Sequence, residues 1–294
     1  MKISSGRTKA YKIASLIILI LLAVLFLFPL YWIITGAFKP AGDIYAQEPV
    51  WWPSAWVTKN FANLFDKRTA PLFSLFGVDG PTVPAAIRWL INTVFISVVA
   101  MILTCITASL AGYALAKKRF RGRSILFALI VCAMALPKQV ILIPLLKEMS
   151  ALNLYDTLWA VIIPTVGWPF GVFLMKQFAE SIPGEILEAA RVDGSSELRT
   201  FTTIVVPIIK PGIGALAIFT FINTWNDYFM QLIMLSSNAN YTSSLGIATL
   251  QAEGSIDMGL LMAGAALTSI PIIIVFLIFQ KYFTQGITMG AVKG

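Results

Sequence analysis

The chain has 294 residues, of which 58% are hydrophobic and only 12% are charged, and its mean hydropathy is +0.82. Soluble domains of this length carry about 25% charged residues, so the composition excludes an ordinary water-facing globule and indicates a polytopic membrane protein. Histidine is absent, which excludes histidine–metal sites and histidine-based catalytic triads, and the two cysteines lie in apolar runs and predict no disulfide framework.

Six apolar runs are long enough to cross a membrane, because a hydrocarbon core of about 30 Å needs about 20 helical residues. Two of the runs are each interrupted by one charge, Lys138 in the third and Asp227 in the fifth. We therefore predict an all-α fold with six transmembrane helices in a single domain over residues 1–294. The predicted spans are 13–36, 89–116, 124–147, 157–177, 208–235 and 258–281.

The distribution of lysine and arginine predicts the orientation, since cytoplasmic segments carry an excess of these residues. Of the 22 lysines and arginines, 15 lie in or beside the segments 1–12, 117–123, 176–210 and 281–294. These segments and both termini are therefore expected in the cytoplasm. The net charge of +8 follows from this topology, and no nucleic-acid partner is expected.

The external loop 37–86 is the only sizeable segment predicted outside the membrane on that side. It is rich in proline and tryptophan, including Trp51, Trp52 and Trp56. Two interpretations remain open: the tryptophans rest at headgroup level, or they form a docking surface for an external partner protein.

The cytoplasmic loop 179–207 is predicted to form a helix, a break and a second helix. Ser181 is expected to cap the first helix, and Gly194 to end it in the left-handed conformation. Ser195 or Ser196 offers the next cap, with Glu197 in the following turn. A helix of about 10 residues is marginal alone in water, so this loop needs something to hold it.

The run Glu188–Gly194, with Pro207 and Pro211 after it, resembles the EAA loop of ABC importer permeases. Trp225–Asp227 and the ending 280–294 resemble the corresponding parts of the MalG-like carbohydrate permeases. The resemblance covers most of residues 13–294. It implies a type I ABC importer permease fold and a subunit that moves a sugar, with an oligosaccharide as the expected class.

The resemblance also implies partners. The chain has no G-x-x-x-x-G-K-[ST] phosphate-binding motif, so it is expected to be no enzyme and to hold no cofactor, while two separate ATPase subunits bind ATP and magnesium. A MalF-like second permease, an extracytoplasmic solute-binding protein and membrane lipid complete the expected partners in the cytoplasmic (inner) membrane. Five residues are expected to couple the ATPase to transport: Glu188, Ala189, Ala190, Asp193 and Gly194. The two alanines among them are expected to form the docking face.

Four residues of the fifth span are expected to line the external half of the sugar path: Asn223, Trp225, Asn226 and Asp227. A tryptophan ring offers an apolar face to a sugar, and amides and a carboxylate match its hydroxyls. Continuous helices would place Lys138 and Asp227 at similar heights in the outer leaflet. The alternative for Lys138 is a long side chain that only snorkels outward.

Two other classes of membrane protein are alternatives to this interpretation. An intramembrane carboxylate such as Asp227 also fits an ion-gradient-driven secondary transporter. A membrane enzyme is disfavoured because the carboxylates are scattered, and neither catalytic residues nor a metal site is expected. Two departures from the family pattern stand out: extra length at residues 67–84, and Gln231-Leu232 where many relatives have Pro-Leu.

Overall fold

The computed structural model describes residues 5–75, 78–252 and 257–291, and it describes the side chains of 11–73, 79–251 and 257–280. This part of the chain is mostly helical, as the composition predicts. A π-helical turn over Phe201–Val205 joins α10 to α11. The helices are α1 (Ser5–Ala37), α2 (Ala41–Ile44), α3 (Lys59–Asp66), α4 (Ala85–Lys117), α5 (Arg123–Ala133), α6 (Lys138–Ala151), α7 (Trp159–Val166), α8 (Pro169–Glu180), α9 (Gly184–Val192), α10 (Glu197–Thr200), α11 (Val206–Trp225), α12 (Tyr228–Met234), α13 (Ser243–Ala252) and α14 (Met258–Ala291).

Five helical segments of the described chain are long and apolar enough to cross a membrane, and the bent pair α5–α6 makes six if it counts as one span. The fold class predicted from the sequence is therefore confirmed. The segments are Tyr11–Ala37, Ala85–Lys117, Trp159–Glu180, Glu197–Trp225 and Met258–Gln280. Helix α14 continues as far as Ala291, and 292–294 lie outside the described residues.

The third span differs from the continuous helix expected over 124–147. Helix α5 ends at Ala133, α6 begins at Lys138, and the two helices are bent by 107°. Pro137 explains the break, because proline lacks an amide hydrogen and disfavours the helical conformation at the residue before it. The straight helix assumed in estimating the height of Lys138 is therefore wrong, although Lys138 and Asp227 do lie at similar heights, with Nζ 3.8 Å from Oδ2.

The fifth span also differs from its predicted range of 208–235. It begins earlier, as one helical segment over Glu197–Trp225, and it is interrupted at Asn226 and Asp227 before α12. The Asp227 carboxylate accepts a hydrogen bond from the Met230 amide at 3.2 Å and so caps α12. The break thus has a local cause, a good capping residue within an apolar run.

The extra length at 67–84 forms two short antiparallel ribbons, a small correction to the all-helical expectation. Strand β1 (Thr69–Pro71) pairs with β4 (Thr82–Pro84), and β2 (Ser74–Leu75) pairs with β3 (Val78–Asp79). The pairing gives backbone groups of this segment the partners that a helix interrupted by Pro81 and Pro84 could not give them. Arg88 of α4 donates to the Leu72 carbonyl and fixes the ribbons to the helix bundle.

The core of the bundle is built by α4, α8 and α11, which pack closely through small residues. A Cβ atom at Gly112 of α4 would lie 2.6 Å from the backbone nitrogen of Lys176 in α8. At Gly171 of α8 it would lie 3.2 Å from the Ala108 Cβ. Glycine at such crossings lets the backbones of membrane helices approach each other. The spans that carry the candidate path are thereby fixed against α4.

The tryptophans of the external loop fall into two groups. Trp51 packs at the outer end of α1, with its ring centroid 6.0 Å from that of Phe28 and 5.9 Å from that of Trp32. Trp52 and Trp56 pack edge to face with each other at 5.4 Å, and both are exposed. Trp51 is itself 60% exposed, as is Trp52, so exposure does not separate the two groups, and both the headgroup and the docking interpretations stay open.

Candidate substrate path and coupling loop

Three interrupted helices meet at one place on the side of the bundle. The interruptions are the bend between α5 and α6, the short gap at Gly167 and Trp168 between α7 and α8, and the break at Asn226 and Asp227. Lys138 Nζ lies 3.8 Å from Asp227 Oδ2 and 5.0 Å from the centre of the Trp168 ring. One cation therefore links all three interruptions.

The depth of this place follows from helix lengths. Helix α8 has 12 residues, so it rises about 18 Å from its C-terminal end at Glu180 to Trp168. Helix α5 has 11 residues and rises about 16 Å before the bend. Both values fall near the middle of a hydrocarbon core of about 30 Å. Helix interruptions at this depth are tolerated where backbone lines a cavity or is buried in protein.

The four path residues predicted from the sequence are not equally placed. Asn223 and Asn226 are exposed and Asp227 is partly exposed. Each asparagine donates to a carbonyl one turn earlier in the chain, Asn223 to Phe219 at 2.8 Å and Asn226 to Ile222 at 2.9 Å. These bonds use one N–H of each amide and fix its orientation.

Trp225 does not fit the sugar-stacking role expected of it. Its side chain is only 4% exposed, and its ring stacks on Phe221 with centroids 5.3 Å apart. The tryptophan at the helix interruptions is Trp168, which is partly exposed. The run Gly167-Trp168-Pro169 could have indicated this position, because glycine and proline together mark a helix interruption.

Gln231, the departure from the family pattern, connects three segments. Its side chain is fully buried, its Nε2 donates to the Thr224 carbonyl at 3.0 Å, and its Oε1 accepts the Thr242 hydroxyl. The amide therefore ties α12 to the end of α11 and to the segment before α13.

A Gln231→Leu variant is expected to unfold more easily. The change leaves the buried Thr242 hydroxyl without its acceptor, at a cost of about 1–3 kcal/mol. The measurement is the midpoint of thermal unfolding of the purified protein. Asn223→Leu, at an exposed position, is the matched control, and equal midpoints for the two variants would contradict the role assigned to Gln231.

Asp156 organises the external turn between α6 and α7. Its Oδ1 accepts the amides of Ser236 at 2.8 Å and Ser237 at 3.0 Å. Partial burial alone would raise the pKa of Asp156, but these hydrogen bonds, with a contribution from Asn240, outweigh it and hold the pKa below its usual value. The carboxylate is thus the form that the fold stabilises.

The sign of the shift predicts how stability depends on pH. Because the pKa of Asp156 is lower in the folded state, its contribution is present above the unfolded value of about 3.9 and is lost as the pH falls through the folded value. Asp156→Asn should lower the unfolding midpoint at neutral pH and show a smaller further loss in acid. Asp79→Asn, at an exposed carboxylate, should match the unmodified protein. If the unfolding midpoint of Asp156→Asn fell in acid by as much as that of the unmodified protein, the assignment would be contradicted.

The segment 179–207, which is the candidate coupling loop, forms the helix, break and helix expected of it, with one correction at its start. Ser181 does not cap α9, because its hydroxyl donates to the Phe178 carbonyl at 2.8 Å and closes α8 instead. Pro183 precedes the first residue of α9. The cap of α10 is confirmed at Ser196, which accepts the Arg199 amide at 3.4 Å.

The prediction for Gly194 is confirmed. Its φ is +74°, and the Ser195 amide donates to the Ala190 carbonyl at 2.9 Å, the six-residue closure of a Schellman motif. Open space surrounds the position where a Cβ of Gly194 would lie. Backbone conformation, and not crowding, is therefore what requires glycine here.

The two alanines of the loop do not share an outward face. Ala190 is only 6% exposed and packs within this chain, whereas Glu188, Ala189, Asp193 and Gly194 are exposed. The expected docking face around both alanines is therefore corrected. The most exposed large apolar residues of this loop are Val192, at 86%, and Leu198, at 69%, followed by Ile186, at 40%. Neither of the first two was predicted from the sequence, although each stands directly beside an acidic residue there, Val192 before Asp193 and Leu198 after Glu197.

The loop is fixed to the C-terminal end of α4. Lys117 Nζ donates to the carbonyls of Glu180 at 3.1 Å and Ile182 at 2.5 Å, and Lys118 pairs with Glu197. The hydrogen bond from Lys118 lowers the pKa of Glu197, although that carboxylate is largely exposed. These contacts make α9 and α10 move with α4.

The chain matches the family model of the binding-protein-dependent transport system inner membrane component over residues 108–289. The arabinooligosaccharides transport system permease protein AraQ of Halalkalibacterium halodurans is 34% identical over 275 residues, which cover 93% of each chain. AraQ of Bacillus subtilis is 32% identical over 99% of each chain. The inner membrane ABC transporter permease protein YcjP of Escherichia coli is 30% identical over 94% of each.

Solved structures agree with the fold. A chain of a bacterial ABC transporter involved in the import of the acidic polysaccharide alginate superposes with a TM-score of 0.77 at 22% identity. The superposition covers 96% of this chain and 100% of the other. At this identity the likeness concerns the fold alone.

Proposed function

Because this chain belongs to the family of binding-protein-dependent transport system inner membrane components, we propose that it is the permease subunit of an ATP-driven importer that moves an oligosaccharide by alternating access. The resemblance to carbohydrate ABC importer permeases stated from the sequence is confirmed by these relatives. The observation that carries the proposal is identity of 34% and 32% to two permeases named for arabinooligosaccharides, over nearly the whole chain.

The coupling loop supports an ATP-driven mechanism. Val192 and Leu198 expose apolar surface directly beside charged residues of the same loop, and such surface marks a contact with another protein. A separate ATPase subunit is the partner we propose for it, and Glu188, Ala189, Asp193 and Gly194 are the neighbouring contact residues. Ala190 acts from inside by fixing α9 to its own chain.

The remaining partners follow from the family. A second, MalF-like permease would complete the path, two ATPase subunits would bind ATP and magnesium, and a solute-binding protein would deliver the sugar. One solved relative is an alginate transporter in complex with an alginate pentasaccharide-bound periplasmic protein. We propose the cytoplasmic membrane as the location, with both termini in the cytoplasm.

The secondary-transporter alternative is less well supported. It needs an intramembrane carboxylate that gains and loses a proton or an ion, whereas the Asp227 carboxylate caps α12 and lies 3.8 Å from Lys138. Uptake in whole cells separates the two. ATP depletion should abolish uptake of an arabinooligosaccharide while collapse of the proton and sodium gradients at constant ATP should spare it; the opposite pattern would refute the proposal.

A Val192→Asp variant tests the coupling surface. At 86% exposure the side chain contributes little to this chain's fold, so the protein should remain stable, whereas a carboxylate in an apolar contact would lose its hydration and weaken ATPase binding by about tenfold or more. The measurement is co-purification of the ATPase subunits. Val192→Ala is the matched control, and unchanged ATPase binding by Val192→Asp would exclude this surface.

A further inference from the structure

The meeting point of the three helix interruptions, which we name the break site, consists of Lys138, Trp168 and Asp227 with the exposed asparagines Asn223 and Asn226. We propose that the break site is a glycosyl-binding subsite for an uncharged sugar ring, in which the Trp168 ring stacks on the sugar and the Lys138–Asp227 pair binds its hydroxyls. This inference rests on the proposed function and adds to it a substrate class and a contact supplied by this subunit.

Trp168 is held where a sugar ring could reach it. Its ring is partly exposed and lies 5.1 Å from that of Phe170, which in turn packs edge to face on Phe219 at 5.7 Å. Phe170, which is itself supported by Phe219, holds the indole from one side, so little conformational freedom is lost on binding. A rigid flat ring with one N–H suits the apolar face and hydroxyl rim of a sugar.

The ion pair retains unused hydrogen-bonding capacity. Asp227 Oδ1 accepts the Met230 amide and Oδ2 lies 3.8 Å from Lys138 Nζ, at the long end of an ion-pair contact. A carboxylate has about four acceptor sites and an ammonium three donors, so several remain. The Lys138 side chain is 47% exposed and that of Asp227 is 19% exposed. Sugar hydroxyls, which both donate and accept, match this combination.

The exposure of the break site indicates what it faces. Against lipid, the Lys138 ammonium and the Asn226 amide would lie in hydrocarbon, which is costly for charged and polar groups near mid-depth. Polar groups at that depth are expected to face a water-filled cavity or the bundle interior. The exposed side of the break site is therefore assigned to the substrate path, between this chain and its partner permease.

The pair also sets the charge preference of the subsite. Because Lys138 and Asp227 carry opposite charges, an acidic sugar gains attraction from one and repulsion from the other, and its own desolvation is left uncompensated. An uncharged sugar has no such cost. Asp227→Asn leaves the cation alone and should favour acidic sugars, and Lys138→Gln leaves the carboxylate alone and should disfavour them.

The experiment uses the complete complex of this chain with its partner permease and ATPase subunits. Asn226→Cys is introduced together with Cys132→Ser, since Cys132 is exposed, and the rate of alkylation by a small water-soluble maleimide is measured. An arabinooligosaccharide at saturation should slow alkylation about tenfold, and an oligogalacturonate should have little effect. Adding Asp227→Asn should reverse this order. A cysteine at the external Trp52 is the control that neither sugar should protect.

A second measurement concerns the stacking residue. Trp168→Ala should reduce uptake of the arabinooligosaccharide about tenfold per assembled complex, the factor that corresponds to one lost contact of moderate strength, whereas Trp168→Phe should retain most of it. Trp159→Phe, at an exposed tryptophan that packs on Phe95, is the matched control. If Trp168→Ala does not assemble, the alkylation test and Trp168→Phe still decide.

The outcomes separate this inference from the proposed function. Normal ATP-driven uptake of the arabinooligosaccharide, combined with no protection of Asn226→Cys, would overturn the subsite and leave the importer assignment standing. Protection that does not change between neutral and acidic sugars when Asp227→Asn is added would overturn the role of the ion pair. Sugar uptake that persists without ATP would refute the proposed function itself.

Discussion

A Gly194→Val variant is expected to insert into the membrane and to lose most of its ATP-driven sugar uptake. Gly194 has a φ of +74°, and the left-handed conformation costs other residues about 1–2 kcal/mol, most of all β-branched ones. The strain would open the turn that the Ser195–Ala190 hydrogen bond closes. Helix α9 would then lose its fixed position relative to α10.

The expected effect on uptake exceeds the strain itself, because the loop is proposed to transmit the conformational change. Moving a two-state equilibrium from 1:99 to 99:1 needs about 5.5 kcal/mol of differential binding. Losing about 2 kcal/mol of that difference at the coupling contact would change the equilibrium constant roughly thirtyfold. Uptake should therefore fall by about an order of magnitude although the mutated residue lies outside the membrane.

Two matched variants make the measurement decisive. Gly194→Asn places a residue that tolerates the left-handed conformation at the same position, and Gly184→Ala changes a glycine of α9 that has open space around it and no positive φ. Both should retain uptake and ATPase coupling per complex. Equal uptake by Gly194→Val and Gly194→Asn would show that the turn conformation is not what coupling requires.

A Gly112→Leu variant is expected to prevent stable folding of the bundle. A Cβ at this position would lie 2.6 Å from the Lys176 amide nitrogen and 2.7 Å from the Met175 carbonyl carbon. Both atoms belong to backbone, so no side-chain rotation relieves the clash, and α4 and α8 must move apart. Overpacking of a closely packed site costs about 1–3 kcal/mol, occasionally more, and a rigid helix crossing gives little room to relax.

The consequence is measured as the amount of folded protein in the membrane and its unfolding midpoint after purification. Gly42→Ala is the control, because a Cβ there meets no atom within 4 Å. Gly112→Leu should give little folded protein, whereas Gly42→Ala should match the unmodified chain. Similar yield and midpoint for both would mean that α4 and α8 do not pack as closely as described.

Helix interruptions, more than the spans themselves, distinguish the proposed break site. Pro137, the Gly167-Trp168-Pro169 run and the Asn226-Asp227 pair each stop a helix by a different local means, yet all three stops come together around Lys138. Free backbone groups at this depth must be satisfied by protein or water. The break site is therefore where the bundle has polar groups available for a substrate.

Composition and local chemistry alone determined the membrane class, the number of apolar segments, and the helix ends at Gly194 and Ser196 of the coupling loop. Hydropathy identifies spans because a lipid core excludes charges whatever the packing. Gly194 and Ser196 were correctly predicted because a helix end is decided by the few residues around it. The prediction that Ser181 caps α9 was wrong because two helix ends compete for its hydroxyl, and that hydroxyl closes α8.

Only the tertiary structure decided which of the candidate residues are exposed and which are buried. Trp225 and Trp168 are both tryptophans in apolar spans, and Ala189 and Ala190 are neighbours in one helix, so the residue type does not distinguish an exposed position from a buried one. Burial depends on which side of each helix packs against α4, α8 or α12, and those contacts join residues far apart in the chain. The Lys138–Asp227 pair likewise became visible only when the bend between α5 and α6 was known, because a cation and a carboxylate separated by many residues attract each other only where the fold brings them together.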